Sequence, residues 1–153
     1  MLILTRDFRE FIECCVAHDV RFLIVGGYAL AAHGHPRATK DLDVWLWPDP
    51  ANADRVIEAL DEFGFGSLDL TRDDFLEPET VIQLGDPPLR IDLLTSISGV
   101  AFAECWPRRI GVDVGGIEAA FIALDDLIAN KLASGRPQDL VDAATLRRAI
   151  ETE

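Results

Sequence analysis

The chain has 153 residues, 49% of them hydrophobic and 27% charged, which fits one soluble domain with a real core. Its formal net charge of −13 argues against broad nonspecific binding to nucleic acid, which needs a basic footprint. No apolar run approaches the ~20 residues that span a bilayer, and the N-terminus lacks a signal-peptide pattern. Cys14, Cys15 and Cys105 are odd in number and have no metal-type spacing. The expectation is a reduced, cytoplasmic protein with no membrane contact.

Between Thr5 and His18, Phe8, Phe11, Ile12, Cys15 and Val16 recur at helical spacing, with Thr5 or Asp7 as cap. Arg21 to Val25 reads as a buried strand. Gly26-Gly27 breaks it, and Tyr28 to His33 reads as a short helix closed by Gly34-His35-Pro36. Asp41 to Trp47 is a second strand, stopped by Pro48-Asp49-Pro50. Ala51 to Phe63 is an amphipathic helix, with Val56, Ile57, Leu60 and Phe63 on its apolar face. Gly64 to Glu77 has no clear period. Thr80 to Leu84 and Leu89 to Leu94 read as a hairpin across Gly85-Asp86-Pro87-Pro88. Gly99 to Trp106 is expected to be helical, followed by short strands over Ile110 to Val114 and Ile117 to Ile122. Asp125 to Ser134 reads as a helix ended by Gly135, and Pro137 starts a last helix to about Ile150. The sum is an α/β (α+β) domain over residues 1–153. It has a mixed β-sheet, helices mainly on one face, and a C-terminal helix pair over residues 124–150 packed on it.

Three stretches carry chemistry. On a strand, alternate side chains share a face, so Asp41 and Asp43 point one way and Leu42, Val44 and Leu46 the other. Two like charges that close repel unless a cation lies between them. Asp92 puts a third carboxylate in a second apolar strand, Leu89 to Leu94, where an acid is costly to bury unless paired or metal-bound. Hard oxygen ligands of this kind suit Mg²⁺ or Mn²⁺ together with substrate phosphates, and two such ions can serve phosphoryl chemistry. The plain alternative is a solvated strand edge. Gly26-Gly27 lets the backbone approach a ligand, and the helix after it offers free N–H groups to phosphate; a tight turn with no ligand is the alternative. Lys131 and Arg136 flank a helix break and suit phosphate, while Asp139 and Asp142 share a helix face; surface ion pairs are the plain reading there. Arg37, Lys40, Arg90, Arg108 and Arg109 are further cations for a local basic pocket. His33 and His35 lie near the glycines. Trp45 and Trp47 alternate onto the face of Asp41 and Asp43, as stacking or core residues.

Taken in order, Gly26-Gly27, Asp41-Leu42-Asp43 and Asp92 resemble the nucleotidyltransferase superfamily, the polymerase-β-like minimal fold. Pro36 to Val44 looks like the Arg-x-Thr-x-Asp-hydrophobic-Asp string of several bacterial branches. The Lys131, Arg136, Asp139 and Asp142 series is similar to the downstream motif of the branch that includes AbiEii-type toxins of toxin–antitoxin systems. The resemblance implies transfer of a nucleoside monophosphate from an NTP to an acceptor hydroxyl, with Asp41, Asp43 and Asp92 as catalytic residues and ligands of two Mg²⁺ or Mn²⁺ ions. It implies nucleotide binding by Gly26, Gly27, Arg37, Thr39, Lys131, Arg136 and Asp139. The acceptor is left open between tRNA, protein and a small molecule such as an antibiotic, an antitoxin is an implied partner, and a noncatalytic nucleotide- or partner-binding module is the alternative. At Gly27 many active members have serine.

Overall fold

The structure, a computed structural model, describes residues 2, 4–36, 39–86 and 90–151, with the side chain of Ser67 set aside. Helix α1 (Arg6–Ala17) is capped by the Thr5 hydroxyl and buries Phe8, Phe11, Ile12 and Cys15. Strand β1 (Phe22–Val25), all four residues buried, runs directly into helix α2 (Gly26–Ala32). The two glycines therefore form the first turn of α2 rather than a break before it. Glycine at 26 permits this, because its φ of 71° lies where other residues are strained.

Strand β2 (Asp41–Leu46) follows, then helix α3 (Pro50–Phe63). Asp49 accepts from the N–H groups of Ala51 and Asn52, Pro50 opens the helix, and Gly64 closes it in the left-handed conformation. Asn52 is fully buried. Its amide donates to the carbonyls of Arg21 and Trp47 and accepts from the Arg21 N–H, so it ties α3 to the outer ends of β1 and β2. Residues 64–77 hold two 3-10 turns, Gly66–Leu68 and Arg72–Phe75, which have neither a helix nor a strand period. Strands β3 (Val81–Leu84) and β4 (Arg90–Leu94) form the expected hairpin; Leu89 lies outside the described residues.

The helix expected from Gly99 to Trp106 is much shorter. Helix α4 spans only Phe102–Cys105 and passes into a 3-10 turn, Trp106–Arg108. Gly99 has a φ of 78°, and Pro107 cannot continue an α-helix. Strands β5 (Ile110–Asp113) and β6 (Glu118–Phe121) pair antiparallel. Helices α5 (Leu124–Ser134) and α6 (Pro137–Glu151) complete the chain.

The six strands form one mixed sheet in the order β3-β4-β2-β1-β6-β5. β2 is antiparallel to β1 and parallel to β4, and β1 is parallel to β6. The core runs along both faces of β2. Leu42, Val44 and Leu46 are buried on one face. On the other, Trp45 is buried with its ring edge-on to Phe102 of α4. Trp45 is thus a core residue, and its indole N–H has no hydrogen-bond partner. Trp47 lies half-buried under the Arg21 guanidinium, 4.9 Å from the ring centre. α1 and α3 meet through Phe11 and Phe63, and α1 meets α2 through Phe8 and Tyr28. Cys14, Cys15 and Cys105 are free thiols, and burial pushes the Cys105 thiol up to about 11. No helix among the described residues is long and apolar enough to cross a membrane.

Candidate active site

The register of β2 against β4 sets Asp43 opposite Asp92 and Asp41 opposite Arg90. All four side chains project from one face, because their positions on each strand differ by two. Trp45 and Phe102 close that face below the acids. Above them the first turn of α2 and the α5–α6 junction form a cleft of about 450 Å³. Gly26, Gly27, Thr39, Lys40, Asp41, Asp43, Asn130, Lys131, Arg136 and Asp139 line it.

The glycines are fitted to their neighbours. A Cβ at Gly26 would lie 2.2 Å from Oδ2 of Asp43, and one at Gly27 would lie 2.7 Å from the Thr39 hydroxyl. The α2 backbone therefore presses directly on the Asp43 carboxylate. Burial first, then the charges of Asp92 and Asp41, push the Asp43 carboxyl up to about 7, against the pull of Arg90 and Arg136. Burial, with the Asp41 charge nearby, also raises the Tyr28 phenol. In both groups burial leads and nearby negative charge adds to it, and nearby positive charge opposes the shift of Asp43.

Part of that charge comes from Arg90. Its Nε donates to Asp92 at 3.0 Å, and one terminal nitrogen donates to Asp92 at 3.3 Å and to Asp41 at 2.9 Å. Asp92 is buried, whereas Asp41 and Asp43 are half-exposed on the cleft. No group of three or more histidines, cysteines or acids among the described residues converges as a ready metal-ligand set. Asp41 and Asp43 nonetheless fit a hard divalent cation: both offer oxygen donors, both reach the cleft, and the Asp43 charge is uncompensated by any hydrogen bond from Arg90.

At the opposite wall, Lys131 does not point freely into the cleft. It is buried, and its ammonium donates to Asp139 at 3.3 Å and Asp142 at 3.0 Å. Asp139 also accepts from Ser134 at 2.5 Å and from Arg136 at 2.8 Å. Burial works against the charged form of Asp139, but the bonds from Ser134, Arg136 and Lys131 outweigh it and hold its carboxyl below the usual range. Gln138 donates to Asp142. The Arg136 side chain is largely exposed and is close enough to stabilise the Asp43 charge.

The cleft gathers most of the residues read from the sequence. Gly26, Gly27, Thr39, Lys40, Asp41, Asp43, Lys131, Arg136 and Asp139 line it. Asp92 stands behind Asp43, and Asp142 lies beneath Lys131. Arg37 lies outside the described residues. His33 turns away and bonds the Ile122 carbonyl, and Arg108 pairs with Asp126. Asn130 and Tyr28 were not singled out from the sequence. Asn130 carries no charge or motif to mark it. The place of Arg90 was readable in part, since two positions before Asp92 on a strand means the same face.

A family model described as "nucleotidyltransferase of unknown function (DUF6036)" matches residues 4–151. The chain belongs to this family. Among solved structures, a candidate nucleotidyltransferase from Thermotoga maritima is similar at 14% identity and a TM-score of 0.56, over 97% of this chain and 92% of that one. An antigenic nucleotidyltransferase-like protein from Paracoccidioides brasiliensis is similar at 14% identity and a TM-score of 0.55, over 92% and 74%. At that identity the likeness is one of fold. No curated protein matches the chain.

Proposed function

We propose that this nucleotidyltransferase-family protein is a metal-dependent enzyme that moves a nucleoside monophosphate from an NTP to an acceptor hydroxyl. The observation that carries this reading is the contact of Gly26 with Asp43. It places the Asp43 carboxylate, on the same strand face as Asp41, against open backbone in a cleft also lined by Lys40 and Arg136. Asp41 and Asp43 would hold Mg²⁺ or Mn²⁺, two ions in the fullest form, while Asp92, whose two oxygens both accept from Arg90, would support them from behind Asp43. The bound ion supplies neutralisation of the triphosphate and polarisation of the acceptor oxygen.

The chain's own residues do the rest. The Gly26-Gly27 backbone and the Thr39 hydroxyl border the phosphates, and Lys40 and Arg136 offset their charge. Lys131 and Asp139 brace the wall against which the nucleotide sits. The acceptor oxygen attacks the α-phosphorus, the bond from α-phosphorus to the bridging oxygen breaks, and pyrophosphate leaves. The acceptor proton leaves to solvent in the cleft, with the Asp92 charge assisting from behind Asp43.

For the acceptor, the Lys131–Arg136–Asp139–Asp142 series supports the toxin-like branch. A tRNA or protein would be modified and an antitoxin would be the partner. The net charge of −13 supports a second reading, a small cationic acceptor such as an antibiotic. Expression of the wild type separates them: growth arrest marks the first, drug protection without arrest the second. In either case Asp41→Ala and Asp43→Ala should lose at least about 10²-fold in transfer of labelled nucleotide while remaining folded. Full activity in either variant contradicts the mechanism. Metal-dependent NTP binding without turnover on any acceptor class supports a noncatalytic module.

A further inference from the structure

Arg90 makes the densest set of charged contacts around the acids, and the reaction as described gives it no part. It precedes Asp92 by two residues on β4 and faces Asp41 across the strand pair. Two of its hydrogen bonds go to Asp92 and one goes to Asp41. A divalent cation shared by Asp41 and Asp43 would draw on the carboxylate that Arg90 already pairs with, and two cations that close repel. Only one of the three bonds stands in the way. The two-bond grip on Asp92 holds Arg90 in place whether or not Asp41 is shared.

We propose that Arg90 is a positioning residue that competes with the divalent cation for Asp41 and thereby sets the threshold for metal binding. It would be a counter-ion built into the sheet: a cation held by Asp41 would weaken the Arg90–Asp41 pair, while the two bonds to Asp92 would keep the guanidinium in place. The proposal rests on the reading that Asp41 and Asp43 hold an ion. A purely structural Arg90, one that only orients the acids, makes the opposite prediction, since losing a supporting partner weakens a metal site.

The test is Mn²⁺ binding without nucleotide, followed by titration calorimetry on the wild type, Arg90→Gln and Arg90→Lys. Arg90→Gln should bind Mn²⁺ roughly tenfold tighter, the scale on which neighbours of a metal site act. Arg90→Lys keeps the charge and should stay near wild type. Adding Asp41→Ala to Arg90→Gln should abolish the gain. Because removal of Arg90 leaves the acids uncompensated, the glutamine variant should melt lower without metal, and Mn²⁺ should raise its Tm more than that of the wild type. Wild-type binding with equal or weaker binding by Arg90→Gln overturns the role of Arg90 alone. Absence of Mn²⁺ binding in both proteins overturns the metal site as well.

Discussion

At Gly27 the space of a missing side chain is filled by a neighbour. An ideal Cβ there would meet the Thr39 hydroxyl at 2.7 Å and the Thr39 Cβ at 2.9 Å. The same hydroxyl lines the cleft. Thr39 thus occupies the space that a side chain at position 27 would take. Gly27→Ser should therefore cost about 1–3 kcal/mol of stability through overpacking. Combining it with Thr39→Gly should recover much of that loss, giving a coupling of about 0.5–3 kcal/mol in chemical denaturation. Strict additivity of the two changes would show that Thr39 is not what excludes a side chain. The sequence placed Asp41 and Asp43 on one face because strand alternation is a local rule. It could not show that Gly26 touches Asp43, because that contact depends on how α2 leaves β1.

Elements were legible where their periods were clean. α1, α3, α5, α6 and the β3–β4 hairpin lie within a residue or two of their expected bounds, since amphipathic spacing, Asp49-Pro50 and the glycines at 64 and 135 are strong local marks. α4 was overextended at its start, because apolar Val100, Phe102 and Trp106 look helical while Gly99 has a positive φ and the helix begins only at Phe102. The α5–α6 junction shows a further gap. Helical spacing put Asp139 and Asp142 together but left Lys131 pointing into the cleft, whereas the fold buries it between the two acids. Lys131→Met removes the buried ammonium that donates to both Asp139 and Asp142 and should cost about 3–5 kcal/mol. The pH response follows from Asp139. Its carboxyl is held below the ordinary range in the folded protein, so its contribution is fully present above the ordinary carboxylate pKa and fades as pH falls through the lowered one. Asp139→Asn should therefore flatten the acid limb of the stability profile below about pH 4. An unchanged acid limb in urea denaturation would contradict this.

At the scale of the whole molecule, the β3-β4-β2-β1-β6-β5 order is the fact that assembles the site. It sets β4 parallel beside β2, which places Asp92 next to Asp43 and Arg90 next to Asp41 although both pairs are far apart in sequence. Motif order hinted at this arrangement; the register itself is a long-range property that no local pattern carries. The same topology closes the cleft between the start of α2 and the α5–α6 junction, at the two ends of the chain's motif series. On this strongly acidic chain the cations lining the cleft among the described residues are Lys40, Lys131 and Arg136, so the proposed polyanion binding calls for metal as well. The most direct measurement is thermal unfolding of the wild type and Asp41→Ala with each NTP, with and without Mg²⁺ or Mn²⁺. The account predicts a rise of roughly 5–10 °C at ligand near a hundred times its Kd. The rise should appear for at least one NTP, only with metal, and be lost in the variant. No shift for any NTP–metal pair, or an equal shift in Asp41→Ala, would contradict it.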